Sequence, residues 1–175
     1  MRRANKLKPL GWIQNSAMPF RPVTLPATVP GKLWLHSMPG RLESWGEFLE
    51  EARRVRLGLI VCLNPLFEVQ RSSPVYHEAI ERDTLPCALL LLPMRDFGLG
   101  DDGEEFRVGV ERTCQVLREG GSVLLHCAHG IGRTGTMAAC TLKALGLPTL
   151  QALTQVRDAG SNPQSAVQTG WIHQF

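Results

Sequence analysis

The sequence predicts a single α/β domain with a mostly parallel central sheet flanked by helices. Three short, continuously apolar runs, at residues 57–63, 88–93 and 122–127, have the composition of strands that are covered on both faces. Segments with helical periodicity alternate with strands, which is the order of elements in an α/β fold. A chain of 175 residues suits one compact domain rather than two.

Composition excludes several classes of protein. With 43% hydrophobic and 20% charged residues, the chain is typical of globular proteins. No apolar run is long enough to cross a bilayer and the basic N-terminus lacks an apolar signal core, so we expect a cytoplasmic protein without a membrane span. The five cysteines lack the spacing of a disulfide framework and indicate reduced thiols. Aromatic residues are not interleaved with basic ones, so no nucleic-acid partner is expected.

Residues 1–31 are predicted to form an extended, basic, proline-rich arm, and residues 32–175 the folded domain. Prolines at positions 9, 19, 22, 26 and 30 deny helix and ladder hydrogen bonds. Residues 1–32 include six basic side chains and no acidic one. The arm either contacts a phosphorylated substrate or membrane surface, or is a solvated tail, which is favoured because short basic runs are common.

The remaining elements alternate along the chain. Around the three apolar strands we expect a strand at Lys32–His36, a turn at Met38–Gly40, and helices at about Leu42–Val55, Glu104–Glu119, Thr134–Leu145, Thr149–Asp158 and Pro163–Phe175. The C-terminal third is therefore predicted to be helical and to pack on the sheet.

One loop carries the chemistry. Residues 126–136 read HCAHGIGRTGT and lie between an apolar strand and a helix. Such a loop directs successive backbone N–H groups at one spot, and the helix adds the positive end of its dipole, so it is a binding site for an oxyanion. Cys127 opens the loop, where its sulfur is expected to be a nucleophilic thiolate. Arg133 stands at the helix start, where its planar guanidinium can hold two phosphate oxygens.

The other loop residues complete this prediction. The glycines at 130, 132 and 135 allow φ > 0 and a close approach to the ligand. Thr134 has a hydroxyl that could donate to the departing sulfur, and His126 is expected to orient the loop by hydrogen bonding. The predicted phosphate-binding residues are Ala128, His129, Gly130, Ile131, Gly132 and Arg133.

This pattern resembles the signature loop of the protein tyrosine phosphatase superfamily, His-Cys-x-x-Gly-x-x-Arg-Thr. Shorter matches at 35–40, 61–62 and 166–169 resemble the compact dual-specificity group, particularly cyclin-dependent kinase-associated phosphatases. The resemblance implies the cysteine phosphatase fold and hydrolysis of phosphomonoesters through a cysteinyl-phosphate intermediate, without cofactor or metal. The implied partner is a phosphorylated protein or peptide, and we expect a monomer.

The family also uses an aspartate on an upstream loop as general acid, because an unprotonated alkoxide or phenolate is a poor leaving group. Residues 93–98, PMRDFG, resemble that loop and put Asp96 in the acid's place. Asp101 and Asp102 are alternatives, and any of the three could instead cap the helix that follows. Leu99 stands where the family often has a proline.

Two further positions match the family and keep two interpretations each. Gln168 corresponds to a glutamine that positions the hydrolytic water, or is a polar residue on the exposed side of the last helix. Cys62 lies near where some relatives keep a thiol that forms a protective disulfide with the nucleophile. A small buried hydrophobe is the favoured interpretation of Cys62.

Other functions are less well supported. Residues 130–135 also match the G-x-G-x-x-G dinucleotide motif, but the acidic residue expected about 20 positions further on is missing from 150–157. His126, Cys127 and His129 could ligate a metal, but no second C-x2-C-like pair exists. A family member that binds phosphoproteins without hydrolysing them is the main alternative. A phosphatase for phosphoinositides or RNA 5′-phosphates is another, although the loop lacks the lysines of tensin-type lipid phosphatases.

Overall fold

The computed structural model describes residues 20–94, 103–165, 169–170, 172–173 and 175. These residues form a sheet whose strands are β1 (Arg21–Val23), β2 (Lys32–His36), β3 (Leu59–Cys62), β4 (Ala88–Leu91) and β5 (Ser122–His126). Their order across the sheet is β1-β2-β5-β3-β4. β1 pairs with β2 in the antiparallel direction, and the other neighbouring strands are parallel. The predicted α/β fold with a mostly parallel sheet is confirmed.

Helices cover both faces of the sheet. Those that the structure describes over a full range are α1 (Trp45–Arg54), α2 (Leu66–Ser72), α3 (Pro74–Glu81), α4 (Gly103–Arg118), α5 (Gly132–Ala144) and α6 (Thr149–Asp158). One hydrophobic cluster joins the sheet to α4, α5 and α6, and the other joins it to α1, α2 and α3. Within the described helices, none combines the length and apolarity that crossing a bilayer requires.

The central strand β5 shows why its sequence is continuously apolar. Val123 and Leu125 belong to one cluster, whereas Leu124 belongs to the other. All five residues of the strand are buried, so the three apolar side chains enter a hydrophobic layer whichever face they point to.

The carboxyl ends of the parallel strands meet at one edge. His36 of β2 and Cys62 of β3 are both paired in register with His126, the last residue of β5. Ligand sites of open α/β sheets lie at this edge. The loop that starts at Cys127 therefore begins where such a site is expected.

Helix α1 starts later than its apolar pattern suggested. Ser44 caps the helix through a capping box, in which its hydroxyl accepts from the Glu47 N–H and the Glu47 carboxylate accepts from the Ser44 N–H. Leu42, where the helix was predicted to begin, lies before the cap and is 62% exposed. The local hydrogen bonds of the cap decided the boundary, not the spacing of apolar residues.

Three further features differ from the predictions. The local sequence pattern predicted no helix or strand in the segment that forms α2 and α3. β4 is not covered on both faces, since it is an edge strand with Leu91 37% exposed. The last helix does not begin at Pro163, because residues 163–165 are not helical, whereas 169–170 and 172–173 are. A Cβ at Gly135 would lie 2.9 Å from the Asn162 nitrogen, so the non-helical chain at this point packs directly on α5.

Part of the predicted arm joins the sheet. Residues 21–23 form β1 and pair with residues 33–35 of β2, and Phe20 and Val23 are buried. The division of the chain at residue 32 stays a prediction.

Candidate active site

Cys127 follows the central strand directly and is buried, with 4% exposure. Its position is set by neighbours on both sides, since the Leu63 N–H donates to the His126 carbonyl (3.0 Å) and the Met38 N–H donates to the Ala128 carbonyl (3.4 Å). The start of the loop is therefore fixed by the segments that follow β2 and β3.

The predicted loop leads into helix α5. The helix begins at Gly132, and no side chain caps its N-terminus within the described structure. Arg133 and Thr134 lie in its first turn, with 3% and 0% exposure. The sheet edge, the loop and the helix N-terminus thus meet as an anion site requires.

Glu68 holds Arg133 in place, a contact that the sequence did not predict. Arg133 Nη2 donates to Glu68 Oε2 (2.9 Å) and Nη1 donates to Glu68 Oε1 (3.2 Å), which makes the pair bidentate. Nη1 also donates to the Met94 carbonyl (3.1 Å), and the Asn64 amide donates to Glu68 Oε2 (2.7 Å). These contacts fix the plane of the guanidinium.

The environment of Glu68 favours its charged form. Burial opposes ionisation, but hydrogen bonds from Arg133 and Asn64 outweigh burial and lower the pKa of Glu68. The sequence offered one indication of a role for Glu68: it is an acidic residue that follows β3, a strand that ends at the same sheet edge as β5.

His126, expected to orient the loop, is fully buried and contacts α3. Its Nε2 lies 2.9 Å from the Tyr76 hydroxyl. Burial lowers the pKa of His126 to about 3 and raises that of Tyr76, so both side chains are neutral at pH 7. The contact connects the end of β5 to α3 without adding charge.

Thr134 has a buried hydroxyl that finds no hydrogen-bond partner among the described residues. A buried polar group without a partner costs about 1–3 kcal/mol. A site for a bound anion or for the sulfur of an intermediate would explain why this position keeps a hydroxyl, as the sequence prediction assumed.

The rim of the loop carries a cation from the segment after β2. Arg41 Nη1 donates to the Ala128 carbonyl (2.6 Å), and Nη2 lies 3.1 Å from His129 Nε2. His129 is exposed, as is Ile131 at 36%. Arg41 was not predicted as a site residue because no sequence pattern connects it to the loop.

The glycines of the loop have different roles. Gly130 has φ +71°, and a Cβ there would lie 2.2 Å from the His36 carbonyl oxygen, so only glycine fits. A positive φ is not observed at Gly132 or Gly135. They instead allow close approach, because a Cβ would lie 2.6 Å from Gln164 Oε1 at Gly132 and 2.9 Å from the Asn162 nitrogen at Gly135.

Several predicted residues lie outside the described part of the chain. They are Asp96, its rivals Asp101 and Asp102, and Gln168. The described chain leading towards Asp96 ends at Met94, whose carbonyl accepts from Arg133. The roles of Asp96 and Gln168 stay predictions, as do the catalytic roles of Cys127, Arg133 and Thr134.

The other four cysteines lack the surroundings of a nucleophile. All five cysteines are free. Burial raises the pKa of Cys62 to about 12, and its Sγ donates to the Asn64 carbonyl (3.6 Å). Burial also raises the pKa of Cys87 and Cys114 to about 11 and of Cys140 to about 12. These properties support the interpretation of Cys62 as a buried thiol.

Among the described residues, no cluster of three His, Cys, Asp or Glu side chains could hold a metal ion.

A central parallel strand, a loop that opens with cysteine and a helix with a clamped arginine in its first turn are the arrangement found in cysteine-dependent phosphatases. The family model PTP-SAK, described as Swiss Army Knife protein, DSP-PTPase phosphatase domain, matches residues 25–170. The chain belongs to this family, within the compact dual-specificity type of the protein tyrosine phosphatase superfamily.

Solved structures share the fold. A kinase associated phosphatase with its catalytic cysteine replaced by serine aligns with a TM-score of 0.78 and 20% identity, over 93% of this chain and 95% of that chain. Tk-PTP in the active form aligns with a TM-score of 0.67 and 24% identity, over 88% of this chain and 95% of that chain. A third structure is the core catalytic domain of the PP-IP phosphatase SIW14 from S. cerevisiae in complex with citrate. It aligns with a TM-score of 0.62 and 16% identity, over 92% of this chain and 88% of that chain. A search of curated proteins finds no match.

Proposed function

We propose that the chain hydrolyses phosphomonoesters on proteins, with phosphotyrosine as one substrate and phosphoserine or phosphothreonine as another. The observation that carries the proposal is the pairing of Arg133 with Glu68 in the first turn of α5. The guanidinium is thereby held beside a loop that opens with Cys127. Membership of a phosphatase family agrees with this chemistry.

The proposed reaction has two steps. The Cys127 thiolate attacks phosphorus in line, so that an S–P bond forms while the P–O bond to the leaving group breaks, and Asp96 protonates the leaving oxygen. Water then attacks the cysteinyl phosphate, with Asp96 as base and Gln168 positioning the water, and releases phosphate and the thiolate. Arg133 and the loop N–H groups stabilise the charge on the transferring phosphoryl group.

Exposed apolar side chains support a protein substrate. Ile131 of the loop is 36% exposed, and Phe67, directly before the Arg133-binding Glu68, is 67% exposed. Such side chains can pack against a peptide on either side of the phosphorylated residue. The structural likeness to a kinase associated phosphatase agrees with this choice of substrate.

The first experiment measures hydrolysis of para-nitrophenyl phosphate in EDTA between pH 5 and 8. We expect activity in the wild type and in the control variant Cys87→Ser, which changes a half-buried thiol outside the loop, and none in Cys127→Ser. Asp96→Ala should lose the fall in activity at high pH, because that limb reports a protonated acid. Activity in Cys127→Ser, or a wild type that requires metal, contradicts the proposal.

The same experiment addresses the non-catalytic alternative. A wild type that hydrolyses no phosphomonoester but binds a phosphotyrosine peptide would be a phosphoprotein-binding module. Detection of a phosphate adduct on Cys127 by mass spectrometry after rapid acid quenching would exclude that alternative.

Arg41 favours a second candidate substrate, a small molecule with more than one phosphate. Its guanidinium is fixed beside Ala128 and His129 and could bind a second phosphate next to the transferred one. A likeness to a PP-IP phosphatase agrees with this candidate. Rates on phosphopeptides, phosphoinositides, inositol polyphosphates and 5′-phosphorylated RNA should be compared in the wild type and Arg41→Ala. A polyphosphate substrate is supported if Arg41→Ala lowers kcat/KM for it about tenfold or more, the value of a charged hydrogen bond, and spares para-nitrophenyl phosphate.

A further inference from the structure

The carbonyl oxygen of Gly130 is held by two donors from outside the loop. Arg21 Nη2 of β1 donates to it, and so does the buried Ser161 hydroxyl. The second arm of the same guanidinium, Nη1, donates to the Gly160 carbonyl. One side chain from the edge strand therefore joins the middle of the loop to the turn that follows α6.

This contact sets the direction of a peptide group in the loop. The carbonyl of Gly130 and the N–H of Ile131 belong to one peptide plane, and in a trans peptide they point in opposite directions. No cis peptide occurs in the described chain. Donors that hold the carbonyl on the outer side of the loop therefore turn the Ile131 N–H away from them, towards the inner side where an anion would bind.

A reversed peptide would oppose catalysis. Gly130 has φ +71°, and glycine has the freedom to adopt more than one backbone conformation. If this peptide turned over, the Gly130 carbonyl would bring a lone pair towards the phosphate and the Cys127 thiolate, and one N–H donor would be lost. Arg21 and Ser161 stabilise the orientation that binds an anion.

Arg21 also lies within electrostatic range of Cys127. Its side chain is half-buried, which lowers its pKa, whereas the charge of Cys127 acts in the opposite direction and raises it. The two side chains therefore interact electrostatically. Arg21 lies outside residues 25–170, where the family model matches.

We propose that Arg21 is a positioning residue of the phosphate-binding loop: it holds the Gly130 carbonyl outward, so that the loop N–H groups face the anion and the Cys127 thiolate. The inference rests on the proposed function, because it assigns a role in binding the transferred phosphate.

The test uses the full chain and a readout that needs no turnover. The rate of Cys127 alkylation by iodoacetamide is followed against pH by peptide mass spectrometry, with and without orthophosphate. The variants are Arg21→Ala, Arg21→Lys and Ser161→Ala. The control is Arg54→Ala, which removes an exposed arginine that pairs with Glu51 on α1.

In Arg21→Ala we expect the alkylation profile to move to higher pH and protection by orthophosphate to weaken about 10- to 100-fold, the value of one charged hydrogen bond. Ser161→Ala should shift the alkylation profile and weaken the phosphate protection in the same direction, but by less. Arg21→Lys should keep part of the protection that Arg21→Ala loses. Arg54→Ala should match the wild type. If Arg21→Ala does not fold, Arg21→Lys and Ser161→Ala supply the same readouts.

The inference is wrong if Arg21 variants that fold keep the wild-type profile and phosphate protection, even when their urea midpoints fall. That result would make Arg21 a purely structural connection. Failure of the proposed function gives a different result: a wild type without phosphatase activity whose phosphate protection still depends on Arg21.

Discussion

Replacing Glu68 by glutamine tests the arrangement of the site most directly. The substitution keeps the shape of the side chain but removes the charge that faces Arg133, whose side chain is 3% exposed. Breaking a buried ion pair costs about 3–5 kcal/mol. Since Glu68 is 17% exposed and the Met94 carbonyl and the amide oxygen remain as acceptors, we expect a smaller loss of about 1–2 kcal/mol.

The loss should be visible in both stability and activity. With a urea dependence of about 2 kcal/mol per M, the unfolding midpoint should fall by about 0.5–1 M. Because the guanidinium plane of Arg133 is held less firmly without the charged bidentate partner, kcat/KM for para-nitrophenyl phosphate should fall about 10- to 100-fold, as small displacements of a catalytic group do. The control is Glu78→Gln, which breaks an exposed pair with Arg82 and should change stability by less than about 1 kcal/mol.

The stability that the Glu68 carboxylate contributes should depend on pH in a defined direction. The folded state lowers the pKa of Glu68, so the contribution of this carboxylate is complete above the unfolded value of about 4.3 and is lost as pH falls through the lower folded value. The difference in stability between wild type and Glu68→Gln should therefore shrink in acid. A Glu68→Gln variant with the midpoint and kcat/KM of Glu78→Gln would refute the assigned role.

Three other changes test separate parts of the site. Gly130→Ala forces a Cβ to within 2.2 Å of the His36 carbonyl oxygen at φ +71°; it should cost about 1–3 kcal/mol in backbone strain and abolish phosphate protection of the thiol, whereas Gly46→Ala in α1 should do neither. Burial lowers the pKa of His126 to about 3 in the folded state, against about 6.5 in the unfolded state. The stability that depends on neutral His126 should therefore be complete above pH 6.5 and fall towards pH 3 by up to about 1.4 kcal/mol per pH unit. If the urea midpoint of His126→Asn falls with pH as steeply as that of the wild type, this prediction is wrong. Asp96→Ala should lower kcat for para-nitrophenyl phosphate about 10²- to 10⁴-fold, and an unchanged pH profile would transfer the role of acid to another residue.

Local sequence patterns predicted the elements that bury a continuous or periodic apolar surface. Helix α4 lies within one residue of its predicted bounds and buries the apolar residues Phe106, Val110, Cys114 and Leu117. Helix α6 has the predicted bounds. Where local hydrogen bonds or partial exposure decided the outcome, the patterns were misleading. Ser44 shortened α1 through its cap, and the edge position of β4 left an apolar strand half covered.

The segment between β3 and β4 was the largest omission, and it holds a residue that completes the site. α2 is short and amphipathic only in part, with Val69 as its buried residue and Phe67 exposed. Such a helix has too few apolar positions to show a clear period, and its stability comes from packing against the rest of the domain. The sequence around Glu68 therefore carries no pattern that would predict its contact with Arg133.

The sequence by itself determined the α/β class and singled out residues 126–136, with Cys127 and Arg133, as the candidate anion-binding loop, because each inference depends on residues close together in the chain. Only the tertiary structure decided what holds these residues in place. Glu68 reaches Arg133 across 65 positions and Arg21 reaches Gly130 across 109. Such pairs leave no periodicity or local motif in the sequence, since folding alone brings β1, α2 and the loop to the same end of the sheet.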